Sequence, residues 1–123
     1  MGLVAKWDQI PWEEVNANIS RKVITGSHLM MIMYRFQPFQ EWPPEKHAAE
    51  QAGYILKGRI LLRIHDMSQE MPLGPGDGYL IESNKSHSWQ VFDEEVKLID
   101  FFSPPRHELL THKYAPNAIN PDE

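Results

Sequence analysis

Apolar residues in this chain fall in short runs that alternate with polar ones, cut by glycine and proline at intervals too short for long helices. The longest run, residues 28–36, is apolar at both parities, the pattern of a strand buried on both faces. Met30, Met31 and Met33 read as core filler, and Arg35, its one internal charge, as a strand-end residue reaching solvent. Residues 21–25 read as a first strand that Gly26 and Ser27 turn into this run. Beyond Gly53, residues 54–56 and 59–64 are joined by Lys57-Gly58, which predicts a hairpin-like pair. Alternation in its second arm sets Ile60, Leu62 and Ile64 opposite Arg59, Arg63 and an exposed His65. Strands are also expected near residues 79–81, 88–92 and 96–102, the first of them after the dense turn chemistry of residues 73–78. Residues 11–14 suit one short helical turn, residues 37–44 with three prolines a loop, and residues 66–70 a polar turn. Short strands between Gly/Pro turns predict an all-β sandwich or barrel with little helix.

Length places all 123 residues in a single domain, with a core over about 21–110 and a loosely held tail at 114–123. The formal net charge of -5 lacks the basic surplus of a phosphate-backbone binder, so no nucleic-acid partner is expected. Hydrophobic content of 41% with 24% charged residues is ordinary for a water-soluble domain, and no membrane partner is implied. The first residues contain no apolar run of signal-peptide length, and Lys6 stands where myristoylation wants Ser or Thr; a cytoplasmic location is expected. With no cysteine, any transition metal must sit on nitrogen and oxygen ligands.

The stretch from Pro44 to Gly58, PEKHAAEQAGYILKG, resembles the metal-carrying first motif of the cupin β-barrels, with Glu45, His47, Gln51 and Gly58 at the motif positions. Glu45 stands where that family has a histidine. Residues two apart on an extended strand share a face, so Glu45 and His47 can reach a common point, and Gln51 keeps the same parity. A turn at Ala48 and Ala49 would void the parity and make Glu50 a rival; motif spacing favours Gln51. GDGYLIESNKSH, residues 76–87, resembles the second cupin motif, whose histidine is His87. Asn84 replaces the motif's glycine and can take the left-handed conformation a tight turn needs. The resemblance implies a single-domain cupin, a double-stranded β-helix or jelly-roll barrel, with one divalent transition metal (Zn, Ni, Mn or Fe) on Glu45, His47, Gln51 and His87. His28, His107 and His112 have no partner at ligand spacing, and Trp89 shares the parity of His87 and could face either cavity or core.

Asp100 is a carboxylate among Leu98, Ile99, Phe101 and Phe102 on a buried-looking strand, where a charge needs a partner. It is either ion-paired to Arg106 or a base beside a cationic clamp. The segment VKLIDFFSPPR, together with the Glu50-Gln51 pair, resembles the small KdgF-type cupins that linearise 4,5-unsaturated uronates. That resemblance implies catalytic roles for Asp100, Phe102 and Arg106, a small sugar-acid substrate, and a homodimer paired through sheet edges and N-terminal segments, where Trp7 and Trp12 are candidate contacts. Another cupin enzyme, a dioxygenase or sugar isomerase, and a non-catalytic sugar-acid binder are the alternatives.

Overall fold

A computed structural model describes residues 6–65 and 69–111. Ten strands run in chain order: β1 (Glu13–Asn16), β2 (Ile19–Thr25), β3 (Met30–Phe36), β4 (Glu41–Glu45), β5 (Glu50–Lys57), β6 (Ile60–Ile64), β7 (Gln69–Leu73), β8 (Gly78–Ile81), β9 (His87–Val91) and β10 (Val96–Ser103). A 3-10 turn (Trp7–Gln9) precedes them and a one-turn helix α1 (Glu108–Thr111) follows. They form a six-stranded sheet, β1-β2-β3-β10-β5-β8, facing a four-stranded sheet, β4-β9-β6-β7, and every pairing is antiparallel. From β3 onward the chain crosses between the sheets at almost every connection, the winding of a jelly-roll barrel.

Burial alternates with period two, which corrects the expectation that residues 28–36 are buried on both faces. Met30, Ile32, Tyr34 and Phe36 of β3 and Val96, Leu98, Asp100 and Phe102 of β10 are buried, while the residues between them are half-buried on the outer face. Met30 is therefore core, whereas Met31 and Met33 line the outside of the six-stranded sheet. Opposite them Ile60, Leu62, Ile64 and Val91 close the core from the smaller sheet. Each such side chain contributes about 1.5–3 kcal/mol by leaving water.

Further sequence expectations are corrected. Segments 54–56 and 59–64 do not pair: β5 and β6 belong to different sheets, and Gly58 is a corner between them. It has φ +78, and a Cβ there would lie 2.5 Å from Glu95 O, so a corner this tight admits only glycine. Residues 13–16 are an edge strand rather than part of a helical turn, which falls instead at Trp7–Gln9. In β1 only Val15 is buried, so its sequence carries little strand signal; pairing with β2 and the Glu13–Arg21 ion pair at 2.7 Å hold it. The proline-rich loop contains strand β4, whose Pro43 and Pro44 are tolerated because β4 is a sheet edge. Residues 69 and 70 of the expected polar turn begin β7; residues 66–68 of that turn, the tail 114–123 and His112 lie outside the described residues.

Trp12 packs on its own barrel. Its ring lies under the Arg35 guanidinium at 4.3 Å and the Lys22 ammonium at 4.6 Å, which also corrects the reading of Arg35 as reaching solvent. No helix among the described residues is long and apolar enough to cross a membrane.

Candidate metal centre and reaction pocket

From the end of β4 into β5 the burial alternates without a break: Glu45, His47, Ala49 and Gln51 are buried, Lys46, Ala48 and Glu50 exposed. The bend at Ala48 and Ala49 thus preserves parity, and Gln51 rather than Glu50 faces the interior. The pairing of β4 with β9 slips between Trp42 and Glu45, which sets Glu45 opposite His87. A bulge of this kind re-aims a side chain, and here it brings a carboxylate to an imidazole. Asn84, at φ +61, takes the left-handed turn expected of it just before β9.

His47 Nδ1 lies 2.8 Å from Ala49 O, and His87 Nδ1 lies 2.8 Å from Lys85 O. A carbonyl can only accept, so both Nδ1 atoms donate, and a neutral ring then turns an Nε2 lone pair into the barrel. These Nε2 atoms stand 3.6 Å and 3.5 Å from Glu45 Oε1, and His47 Nε2 is 3.2 Å from Gln51 Oε1. His87 Nε2 is buried without a hydrogen-bond partner. Acceptors converging on acceptors, one of them orphaned, suit a cation between them and little else. Glu45, His47 and His87 form a buried cluster whose ligand atoms lie within 4.8 Å of one another and could hold a metal ion. Trp42 Nε1 donates to Glu45 Oε2 at 3.1 Å, fixing the carboxylate from behind. Burial opposes the charge on Glu45, but the two imidazoles in their charged form and the Arg106 guanidinium 3.4 Å away hold its carboxyl well below the usual range.

Asp100 and Phe102 project from β10 toward the same interior. Asp100 accepts from the Tyr79 hydroxyl at 2.5 Å and from Gln51. Burial lifts its carboxyl to about 6, with those two donors pulling the other way. Arg106, just past the strand, donates to Glu45 Oε1 at 3.4 Å and to Glu108 Oε2 at 3.0 Å, and its guanidinium lies 5.2 Å from the Phe102 ring. Glu45, Gln51, Asp100, Phe102 and Arg106 line one cavity of about 20 Å³, closed by Trp42, Trp89 and Leu109. Trp89 serves both roles considered for it, stacking on Trp42 at 5.5 Å while meeting the core ring of Phe36 at 4.4 Å. His28 and His107 are exposed, as is His65, whose Nε2 is 2.9 Å from Ser88 Oγ. The linear pattern missed Tyr79 and Trp42. Tyr79 acts across β5, and the one local hint of it was Gly53, a glycine inside a strand; Trp42 reaches Glu45 within β4, across the bulge.

A two-sheet jelly roll with imidazole, carboxylate and amide groups turned into its mouth is the architecture of a cupin. The Cupin domain model matches residues 32–102. The chain is 35% identical to the pectin degradation protein KdgF of Dickeya dadantii (strain 3937) over 105 residues, 84% of this chain and 94% of that protein. It belongs to the cupin family and, within it, to the KdgF group. Among solved structures, KdgF from Halomonas sp. superposes with a TM-score of 0.82 at 23% identity, over 89% of this chain and 99% of that one. An RmlC-like cupin from Shewanella frigidimarina NCIMB 400 gives 0.79 at 20% identity, over 89% and 96%. At these identities the two structures speak for the fold.

Proposed function

We propose that this protein is a metal-dependent isomerase that opens the ring of 4,5-unsaturated uronate monosaccharides released in pectin- or alginate-type breakdown. The observation that carries this is the single cavity in which Glu45 and Gln51 meet Asp100, Phe102 and Arg106, in a chain 35% identical to a pectin degradation protein. Glu45, His47, Gln51 and His87 would hold one divalent ion, Zn, Ni, Mn or Fe, all of which accept nitrogen and oxygen donors. Such an ion supplies a Lewis acid for the enolate charge that develops as the ring opens.

Asp100 takes the proton from the anomeric hydroxyl; the C1–ring oxygen bond breaks as the C1 carbonyl forms, and a proton returned to C4 turns the enolate into a ketone. The product is the linear keto-aldehyde, an isomer of the substrate, so no co-reactant is required. Arg106 binds the substrate carboxylate and Phe102 packs against the sugar ring. Metal-loaded protein mixed with the monomeric unsaturated uronate should abolish its enol-ether ultraviolet absorbance; a decay no faster than in buffer would sink the reading.

About 20 Å³ holds one water-sized sphere and no monosaccharide. Leu109, 2% exposed, is one of the residues lining that cavity, and its carbonyl accepts from Arg21 Nη1 at 2.6 Å. On this reading α1, which carries Leu109, is the element that moves to admit substrate. Shortening that side chain with Leu109→Ala makes the open form easier to reach, and KM is expected to fall by roughly tenfold. An unchanged or higher KM in steady-state kinetics would argue against α1 as the obstacle.

A homodimer is part of the same reading, and beside the sheet edges and the N-terminal tryptophans a further face supports it. The outer surface of the six-stranded sheet presents Tyr54, Leu56 and Leu80, 47%, 42% and 59% exposed, beside half-buried Met31, Met33, Ile99 and Phe101. Register makes them contiguous, with Ile99 between Met33 and Tyr54 and Phe101 between Met31 and Ala52. A two-fold pairing of this patch on itself buries it in both copies. Leu80→Glu places two carboxylates in that contact and is expected to give a monomer in sedimentation at concentrations where the parent chain is dimeric. A parent chain monomeric at high concentration would exclude the dimer.

A further inference from the structure

On the inner face of the six-stranded sheet, Asp100 of β10, Gly53 of β5 and Tyr79 of β8 stand side by side in register. The middle position is a glycine, and a Cβ there would overlap the Tyr79 ring. With that space open, the phenol leans across β5 and donates its hydroxyl to Asp100 Oδ1 at 2.5 Å. Asp100 accepts from Gln51 as well. An amide that gives its NH₂ group to Asp100 turns its oxygen the opposite way, and Gln51 Oε1 does lie within the cluster, 3.2 Å from His47 Nε2. Three side chains thus link the sheet edge to the cation site, from Tyr79 of β8 over β5 to Asp100 of β10 and back to Gln51 of β5. Tyr79 stays a donor, because burial and the neighbouring Asp100 push the ionisation of its phenol well above the ordinary value. It is not among the residues that line the reaction cavity, whereas Asp100 and Gln51 are.

We propose that Tyr79 is a positioning residue: reaching over Gly53, it fixes Asp100 by one oxygen and, through Asp100, the rotation of the Gln51 amide, so that the amide oxygen faces the metal site. An Asp100 left to itself could rotate, and a Gln51 freed from it could present NH₂, which repels a cation, in place of oxygen. Partners one shell out from a ligand act in this way, by setting its orientation. The turnover part of the inference rests on the uronate reading; the metal part does not.

Tyr79→Phe keeps the ring over Gly53 and removes one oxygen. Titration of the metal-free protein with Ni²⁺ or Zn²⁺ alone is expected to show affinity reduced by roughly threefold to tenfold, the low end of what outer-shell losses produce. With the unsaturated uronate, kcat should fall by about tenfold or more while KM stays within about twofold, since the lost hydroxyl never lines the cavity. Gly53→Ala, which pushes the ring off, should move both readouts in the same direction. A role in packing alone predicts Tyr79→Phe with wild-type metal affinity and wild-type kcat, and that result overturns the proposal. Should the parent protein fail to act on the uronate while Tyr79→Phe still binds metal more weakly, the positioning role stands and the uronate reading falls.

Discussion

Asp100→Asn protein is expected to fold, bind substrate and take up metal when metal is supplied in excess, and to turn over at least about a hundredfold more slowly, the scale of a lost general base. Asparagine keeps the shape of the side chain and one acceptor for Tyr79, but it cannot take a proton at neutral pH. The same assignment sets a direction with pH. Burial raises Asp100 to about 6 against the pull of Tyr79 and Gln51, so the group is a base above that range and a carboxylic acid below it. Turnover should decline as pH falls through that region, and a bound cation, which favours the carboxylate, moves the decline lower. Arg106→Lys should behave differently. Lysine keeps the charge but loses the planar fork that reaches Glu45 through one nitrogen and Glu108 through another, so KM is expected to rise by roughly tenfold along with any loss in kcat. Steady-state kinetics and melting temperature measured on the same two proteins decide the matter: lowered melting temperatures with per-molecule activity unchanged would make Asp100 and Arg106 structural.

His87→Ala is expected to abolish stable metal uptake. Its ring is 1% exposed, its Nδ1 is anchored on Lys85 O, and its Nε2, 3.5 Å from Glu45 Oε1, has no hydrogen-bond donor among the described residues. Water could occupy the vacated volume, yet it would lack the anchored orientation that makes a buried imidazole a strong ligand. Glu45→Ala should retain more metal, since two imidazoles and Gln51 remain, but it leaves the Arg106 guanidinium, 4% exposed, without that carboxylate. Breaking a buried ion pair from one side costs about 3–5 kcal/mol, so Glu45→Ala should lose stability where His87→Ala loses metal. Metal content after purification, with the melting temperature recorded with and without added metal, separates the two. Full occupancy in His87→Ala would refute the site.

The parts of this molecule legible in the chain are those written in the local sequence. The shared face of Glu45, His47 and Gln51 follows from a two-residue period that any strand obeys, whatever lies beside it; the strands around residues 28–36 and 96–102, with Asp100 inside the second, show as apolar runs, and the left-handed Asn84 follows from the turn preference of its own side chain. Cysteine-free chemistry and the two spaced motifs narrowed the ligand set to nitrogen and oxygen donors. Partnership was not legible, because a strand's neighbours are chosen across the fold. Nothing near Gly58 says that β5 and β6 part into opposite sheets instead of pairing; the close approach of Glu95 decides it. Nothing near Glu45 says that a bulge beside Pro43 and Pro44 sets it against His87, or that Arg106, 61 residues on, lies against it. Asp100 was expected to need a partner, and only the register of β10, β5 and β8 shows Tyr79 reaching it over a glycine. Which face a side chain takes is a property of its own strand, whereas what it meets there depends on register and sheet order, and those are set by the packing of the whole barrel.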